Sequence, residues 1–98
     1  MILRQIIEIR TNHIDDLNAH LDAWLTRTNG QRIPHQVVVC RDRDVENVYL
    51  MTVEFAWHAI GMKNSRRPTT GEFAAFLTSL CEGPLRFRNL DVLRTEDL

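Results

Sequence analysis

Asn47-Val48-Tyr49-Leu50-Met51-Thr52-Val53-Glu54-Phe55-Ala56-Trp57 is the stretch on which the reading of this chain turns. Its odd positions from Tyr49 to Trp57 are large and apolar, while its even positions mix Val48 and Leu50 with Thr52, Glu54 and Ala56. Alternation with period two marks a strand that offers one face to a core. At roughly eleven residues, or ~35 Å at strand rise, it is long for a small domain and is expected to extend beyond the sheet of one subunit.

Outward from this strand, His35 to Arg41 is rich in β-branched residues, and the polar run Arg41-Asp42-Arg43-Asp44 with Glu46-Asn47 joins the two as a hairpin. Residues Ile2 to Arg10 alternate imperfectly, with Leu3, Ile7 and Ile9 on one face and Ile2, Arg4, Ile6, Glu8 and Arg10 on the other. Between these strands Ile14, Leu17, Leu21, Trp24 and Leu25 recur at helical spacing. Asn12 is the expected cap of that helix, Asp15 and Asp16 fall where its dipole favours negative charge, and Asn29-Gly30 is expected to close it in left-handed geometry.

Downstream, Ala59 to Arg67 reads as an irregular connection holding a short helical turn. Pro68 with Thr69-x-x-Glu72 has the form of a capping box. Phe73, Phe76, Leu77, Leu80 and Cys81 give the next helix its buried face, Gly83-Pro84 ends it, and Arg86 to Leu93 alternates as a final strand. The order β-α-β-β-α-β predicts an α+β, ferredoxin-like antiparallel sheet with helices on one face, in one domain spanning residues 1–98.

The apolar fraction of 44% and charged fraction of 26% are ordinary for a globular protein. A net charge of −1 gives no basic surplus for a nucleic-acid partner. The RNA-binding motif that shares this element order needs exposed aromatics within a basic, glycine-containing stretch, and none is present. No apolar run approaches the ~18 residues that span a membrane, so a cytoplasmic protein is expected, with Cys40 and Cys81 as reduced thiols. No nucleotide loop or nucleophile elbow is found, and no cofactor or bound metal is expected.

The face of the sheet opposite the helices would carry Val48, Leu50, Thr52, Glu54 and Ala56 beside Ile2, Arg4, Ile6 and Glu8. That set is too apolar to be left in water. A second copy of the sheet packed against it would bury the aliphatics and enclose Arg4, Glu8 and Glu54, so a homodimer in which two sheets form an α/β barrel is expected. Ion pairing that sets dimer register is the plain role of those three charges.

From Val53-Glu54-Phe55-Ala56-Trp57 through Asn64-Ser65 to the Phe73 helix and the strand Arg86-Phe87-Arg88-Asn89-Leu90-Asp91-Val92, the chain resembles the antibiotic-biosynthesis-monooxygenase group of the dimeric α/β-barrel superfamily. The resemblance implies dimers with an apolar pocket between sheet and helices, and members that oxidise polycyclic phenols without a cofactor, degrade haem, or have no known reaction. Trp57 matches the strand-end tryptophan that lines the pocket. The catalytic residues do not carry over. The quinone-forming members place an asparagine four residues before that tryptophan, where this chain has Val53, and a tyrosine six after it, where it has Lys63. The haem-degrading members need an asparagine in the first strand, where only Gln5 is amide-like, and a histidine about ten residues past the tryptophan, where Arg67 stands.

The candidate ligand-binding residues are the helix-facing aromatics Tyr49, Phe55 and Trp57, with Trp24 from the first helix. His58 and Asn64 are the candidate catalytic residues. An imidazole titrating near neutrality can remove a phenolic proton, and an amide in a connection can orient a ligand oxygen. Strict alternation sends Trp57 and His58 to opposite faces unless the strand ends or bulges there. Asn64 and Ser65 also suit plain turn chemistry ahead of Pro68. His13, Asp16 and His20 share one helical face, which two nitrogen ligands and a carboxylate could use, though solvated polar residues are equally at home there. Two functions stay open: a small-molecule binder, aromatic or polycyclic in preference, acting as a cofactor-independent monooxygenase, and a non-catalytic ligand-binding or regulatory barrel. A third, an isomerase or decarboxylase using Glu54 or His58 as base, would turn over substrate without oxygen.

Overall fold

The computed structural model describes residues 1–98, except for the side chains of His58, Ala59 and Ser65. The elements follow in the order β1 (Leu3–Arg10), α1 (Ile14–Arg27), β2 (Gln36–Arg41), β3 (Val48–Phe55), α2 (His58–Ser65), α3 (Pro68–Leu80) and β4 (Arg86–Asp91). The strands form one antiparallel sheet in the order β2-β3-β1-β4. This is the ferredoxin-like arrangement, with a further helix, α2, in the connection ahead of α3.

Alternation assigns the faces as the sequence implies. Leu3, Ile7 and Ile9 of β1 and Met51, Val53 and Phe55 of β3 are buried toward the helices. They meet Leu17 and Trp24 of α1 and Phe73 and Leu77 of α3 in a single apolar cluster. Each large side chain buried in this way contributes about 1.5–3 kcal/mol. Phe73 meets Trp24 edge-on, with ring centroids 5.9 Å apart. Arg27 and Glu72 pair across the two helices at 3.3 Å on the exposed side.

The long strand is shorter than expected. It ends at Phe55, whose partner on β1 is Leu3, the first residue of that strand. The β1–β3 ladder stops at this pair, and Trp57 leaves the sheet to become the N-cap of α2. Other local expectations are also corrected. His13, not Asn12, occupies the cap position of α1, and the hydroxyl that accepts its backbone N–H belongs to Thr11, at 3.0 Å. The capping box at Thr69 does not form. Arg67 is the cap residue without a side-chain hydrogen bond, Pro68 opens α3, and Glu72 turns to Arg27 instead. α1 ends at Arg27 with Thr28 as its cap, and Gly30 adopts its positive φ of 78° in the turn that follows.

Thr11 ties the elements together. It is fully buried, its hydroxyl donates to the carbonyl of Leu80 at 3.0 Å, and its own N–H donates to the carbonyl of Asn47 at 2.9 Å. The end of β1, the start of α1, the end of α3 and the start of β3 therefore meet at one residue.

Candidate functional site

Between the helix-covered side of the sheet and the helices lies a cavity of about 350 Å³. Met51, Val53 and Phe55 of β3 line it beside Gln5 and Ile7 of β1. Trp24 and Leu21 of α1 and Phe73, Ala74 and Leu77 of α3 form its helical walls. Toward β4 it is bounded by Phe87 and Asn89, on the part of the sheet that the helices leave open, and Phe87 is 49% exposed. This is the mouth.

α2 reaches the cavity through Gly61, Met62 and Asn64. Gly61 is buried, and a Cβ built on it would stand 2.6 Å from Leu3 Cδ2 and 3.4 Å from the Phe55 ring. Only a residue without a side chain lets α2 lie this close to the sheet with Leu3 where it is. Asn64, three residues on, is buried on the same side. Among the described residues four neutral polar side chains face this otherwise apolar space: Gln5, Asn64, Thr70 and Asn89. Among the described residues no ionisable side chain lines it.

The expected site residues are thus only partly brought together. Trp24, Phe55 and Asn64 line the cavity. Tyr49 is half-buried further along β3 and does not reach it. Trp57 is 59% exposed and stands outside it, because the strand that was to carry it inward has already ended. His58 opens α2, and its side chain lies outside the described residues, as does that of Ser65. Sequence reasoning passed over Phe87 and Asn89 as cavity-lining residues, although the alternation of the last strand places both on the helix side.

The three residues considered for metal do not converge. His13 and Asp16 face each other at 4.0 Å. His20 instead stacks on Phe76, with centroids 3.8 Å apart, and meets Phe73 edge-on. No group of three metal-ligating side chains occurs among the described residues.

The opposite face of the sheet holds a charged cluster. Arg4 Nη2 donates to Glu54 Oε1 at 2.7 Å, and His35 Nε2 lies 2.8 Å from Glu54 Oε2. The hydrogen bond from Arg4, followed by that from His35, holds the Glu54 carboxyl below its ordinary value, against the opposing effect of burial. Glu8 stands apart from this group and pairs with Arg86 at 3.8 Å. Around these charges Ile6, Val38, Leu50 and Leu90 share the face, Val38 and Leu50 among the exposed large apolar residues. Cys81, by contrast, sits partly buried near the end of α3, where desolvation pushes its thiol up.

No family model matches the chain, and no curated protein matches its sequence. Solved structures do match in fold. Rv0793 from Mycobacterium tuberculosis superposes with a TM-score of 0.77 at 15% identity, over 99% of this chain and 100% of its own. SnoaB, a cofactor-independent oxygenase from Streptomyces nogalater, gives 0.74 at 15% identity, over 96% of this chain and 95% of its own. A structure described as an antibiotic biosynthesis monooxygenase gives 0.72 at 10% identity, over 94% of this chain and 99% of its own. The sheet order, the helix-covered cavity and these superpositions together identify the fold as that of the antibiotic-biosynthesis-monooxygenase-like proteins.

Proposed function

We propose that this protein binds a small aromatic or polycyclic molecule in the cavity between sheet and helices. The observation that carries this reading is the lining: aromatic and aliphatic side chains from sheet and helices, with four neutral polar groups among the described residues to fix orientation. Trp24 and Phe55 are the flat apolar surfaces, and Asn64 is a hydrogen-bonding group from the helix side. A volume of about 350 Å³ suits a ligand of two or three fused rings.

The activity we assign is that of a cofactor-independent monooxygenase, which the fold shared with SnoaB supports. An electron-rich phenol would give up its proton, with His58 as acceptor, and Asn64 would steady the oxyanion by hydrogen bonding. Oxygen would add to the carbanion-like ring carbon. Protonation and loss of water from the resulting hydroperoxide would leave a carbonyl where that carbon had carried its remaining hydrogen. The protein's part is to position the ligand and exclude water.

The second reading is a non-catalytic binder or regulatory barrel, favoured by the absence of any ionisable side chain among the described lining residues. Oxygen uptake with a panel of hydroquinones separates the two. Ligand-dependent uptake supports the oxygenase, whereas saturable binding without uptake supports the binder.

In both readings the working unit is a homodimer whose sheets face one another, supported by the exposed Leu50 and Val38 beside the Arg4–Glu54–His35 cluster. The protein is assigned to the cytoplasm, and no helix among the described residues is long and apolar enough to cross a membrane.

A further inference from the structure

Gln5 and Asn89 stand directly opposite each other on β1 and β4, both line the cavity, and Gln5 Nε2 lies 3.3 Å from Asn89 Oδ1. A primary amide offers one carbonyl acceptor and two N–H donors on the same plane. One hydrogen bond between two amides uses a donor of the first and the acceptor of the second. Gln5 keeps its carbonyl oxygen free, and Asn89 keeps its NH₂ group. If both amides are turned over, the bond runs from Asn89 to Gln5, and the free carbonyl and free NH₂ simply exchange residues. Either assignment leaves the pair with one amide carbonyl and one amide NH₂ group that the bond between them does not use.

The neighbours of this pair within the cavity, Ile7, Val53 and Phe87, are apolar and answer neither group. A ligand that covers the pair without satisfying both leaves a desolvated polar group behind, which is the strongest source of discrimination a pocket of this kind has. A hydroxyl is the smallest group that donates and accepts through a single atom.

We propose that the Gln5–Asn89 pair is the specificity element of the cavity and selects aromatic ligands by a protonated hydroxyl, which donates to the free amide carbonyl and accepts from the free amide N–H. The inference rests on the cavity being an aromatic-binding site. An ether or a bare carbonyl leaves the amide carbonyl unpaired, and a phenolate would set its charge against that oxygen. The hydroxyl held at this end therefore stays protonated, and any proton loss during turnover belongs to the α2 side, where Asn64 sits.

Calorimetric titration of the intact protein with 2-naphthol, 2-methoxynaphthalene and naphthalene tests this, alongside Asn89→Leu and Gln5→Leu. Asn89 lies on an edge strand at the mouth, so its replacement leaves the core untouched. The expected result is that 2-naphthol binds about tenfold more tightly than its methyl ether, and that the preference falls to within about twofold in either variant while naphthalene still binds. Equal binding of naphthol and ether, or a preference that survives in both variants, overturns the role of the pair and leaves the aromatic-binding reading standing. Failure of all three probes to bind overturns both.

Discussion

Arg4 and Glu54 face each other on the two central strands, and the guanidinium of the first holds the carboxylate of the second at 2.7 Å on the side of the sheet away from the helices. His35 closes the other oxygen of the same carboxylate. A carboxylate gripped from both sides makes this face of the sheet sensitive to acid.

The sign follows from Glu54 binding its proton less readily when folded than when unfolded, with an ordinary value of 4.5. The unfolded chain takes up the proton first, so the stabilisation is complete above that value and is lost as pH falls through the lower, folded one. Glu54→Gln should flatten the decline of the denaturation midpoint below about pH 4.5, measured in urea across pH 3–6. An acid limb unchanged by the substitution would show that other carboxylates govern it.

Leu50→Arg puts a charge in the middle of the open face, opposite Glu8 on β1. If two sheets pack there, the variant should run as a monomer in light scattering at concentrations where the natural protein is a dimer. Its circular dichroism should be unchanged, because Leu50 makes no part of the helix-side core.

Ala74→Phe fills the cavity from α3. The added ring should cut affinity for an aromatic ligand by about tenfold or more, while stability stays within about 1–3 kcal/mol of the natural protein. Trp57→Ala is the contrasting case, since an exposed residue outside the cavity should change affinity by less than about twofold, read by the same titration. The reverse pattern would move the ligand to the exposed end of α2.

Thr11→Val keeps the shape of the side chain and removes its hydroxyl. The carbonyl of Leu80 and the N–H of His13 each lose a partner, at a partly buried site beneath the fully buried Thr11 side chain. Equilibrium unfolding should show a loss of about 1–3 kcal/mol. A neutral result would mean that the two backbone groups find other partners.

How much of this was legible beforehand differs by scale. Period-two and helical-period patterns placed all four strands, both long helices and the two sheet faces, because burial of one face is what those patterns record. α2 was read as irregular. Its inward positions include Gly61 and Asn64, which carry no apolar signal, although both are buried. The end of β3 was misplaced because Ala56 and Trp57 continue the alternation past the point, Leu3 opposite Phe55, where pairing with β1 stops, and pairing is a property of two segments. Trp57 was expected on the helix-covered face for the same reason, and it stands outside the cavity instead. Gln5 and Asn89 were each visible, but their contact depends on the register of β1 against β4, which no local pattern specifies.

The order of strands has a consequence for how the chain comes together. β1 lies between β3 and β4, so the first strand in sequence is complete only when the last one arrives, and Gln5 must wait for a residue 84 positions later. Until then one edge of β1 is unpaired, and the cavity lacks the wall formed by Phe87 and Asn89. Closing so long a loop is a slow event beside forming either long helix. A ribosome-bound chain halted before Arg86 would display an open strand edge and an apolar trough, the form of this protein most exposed to aggregation and to chaperones.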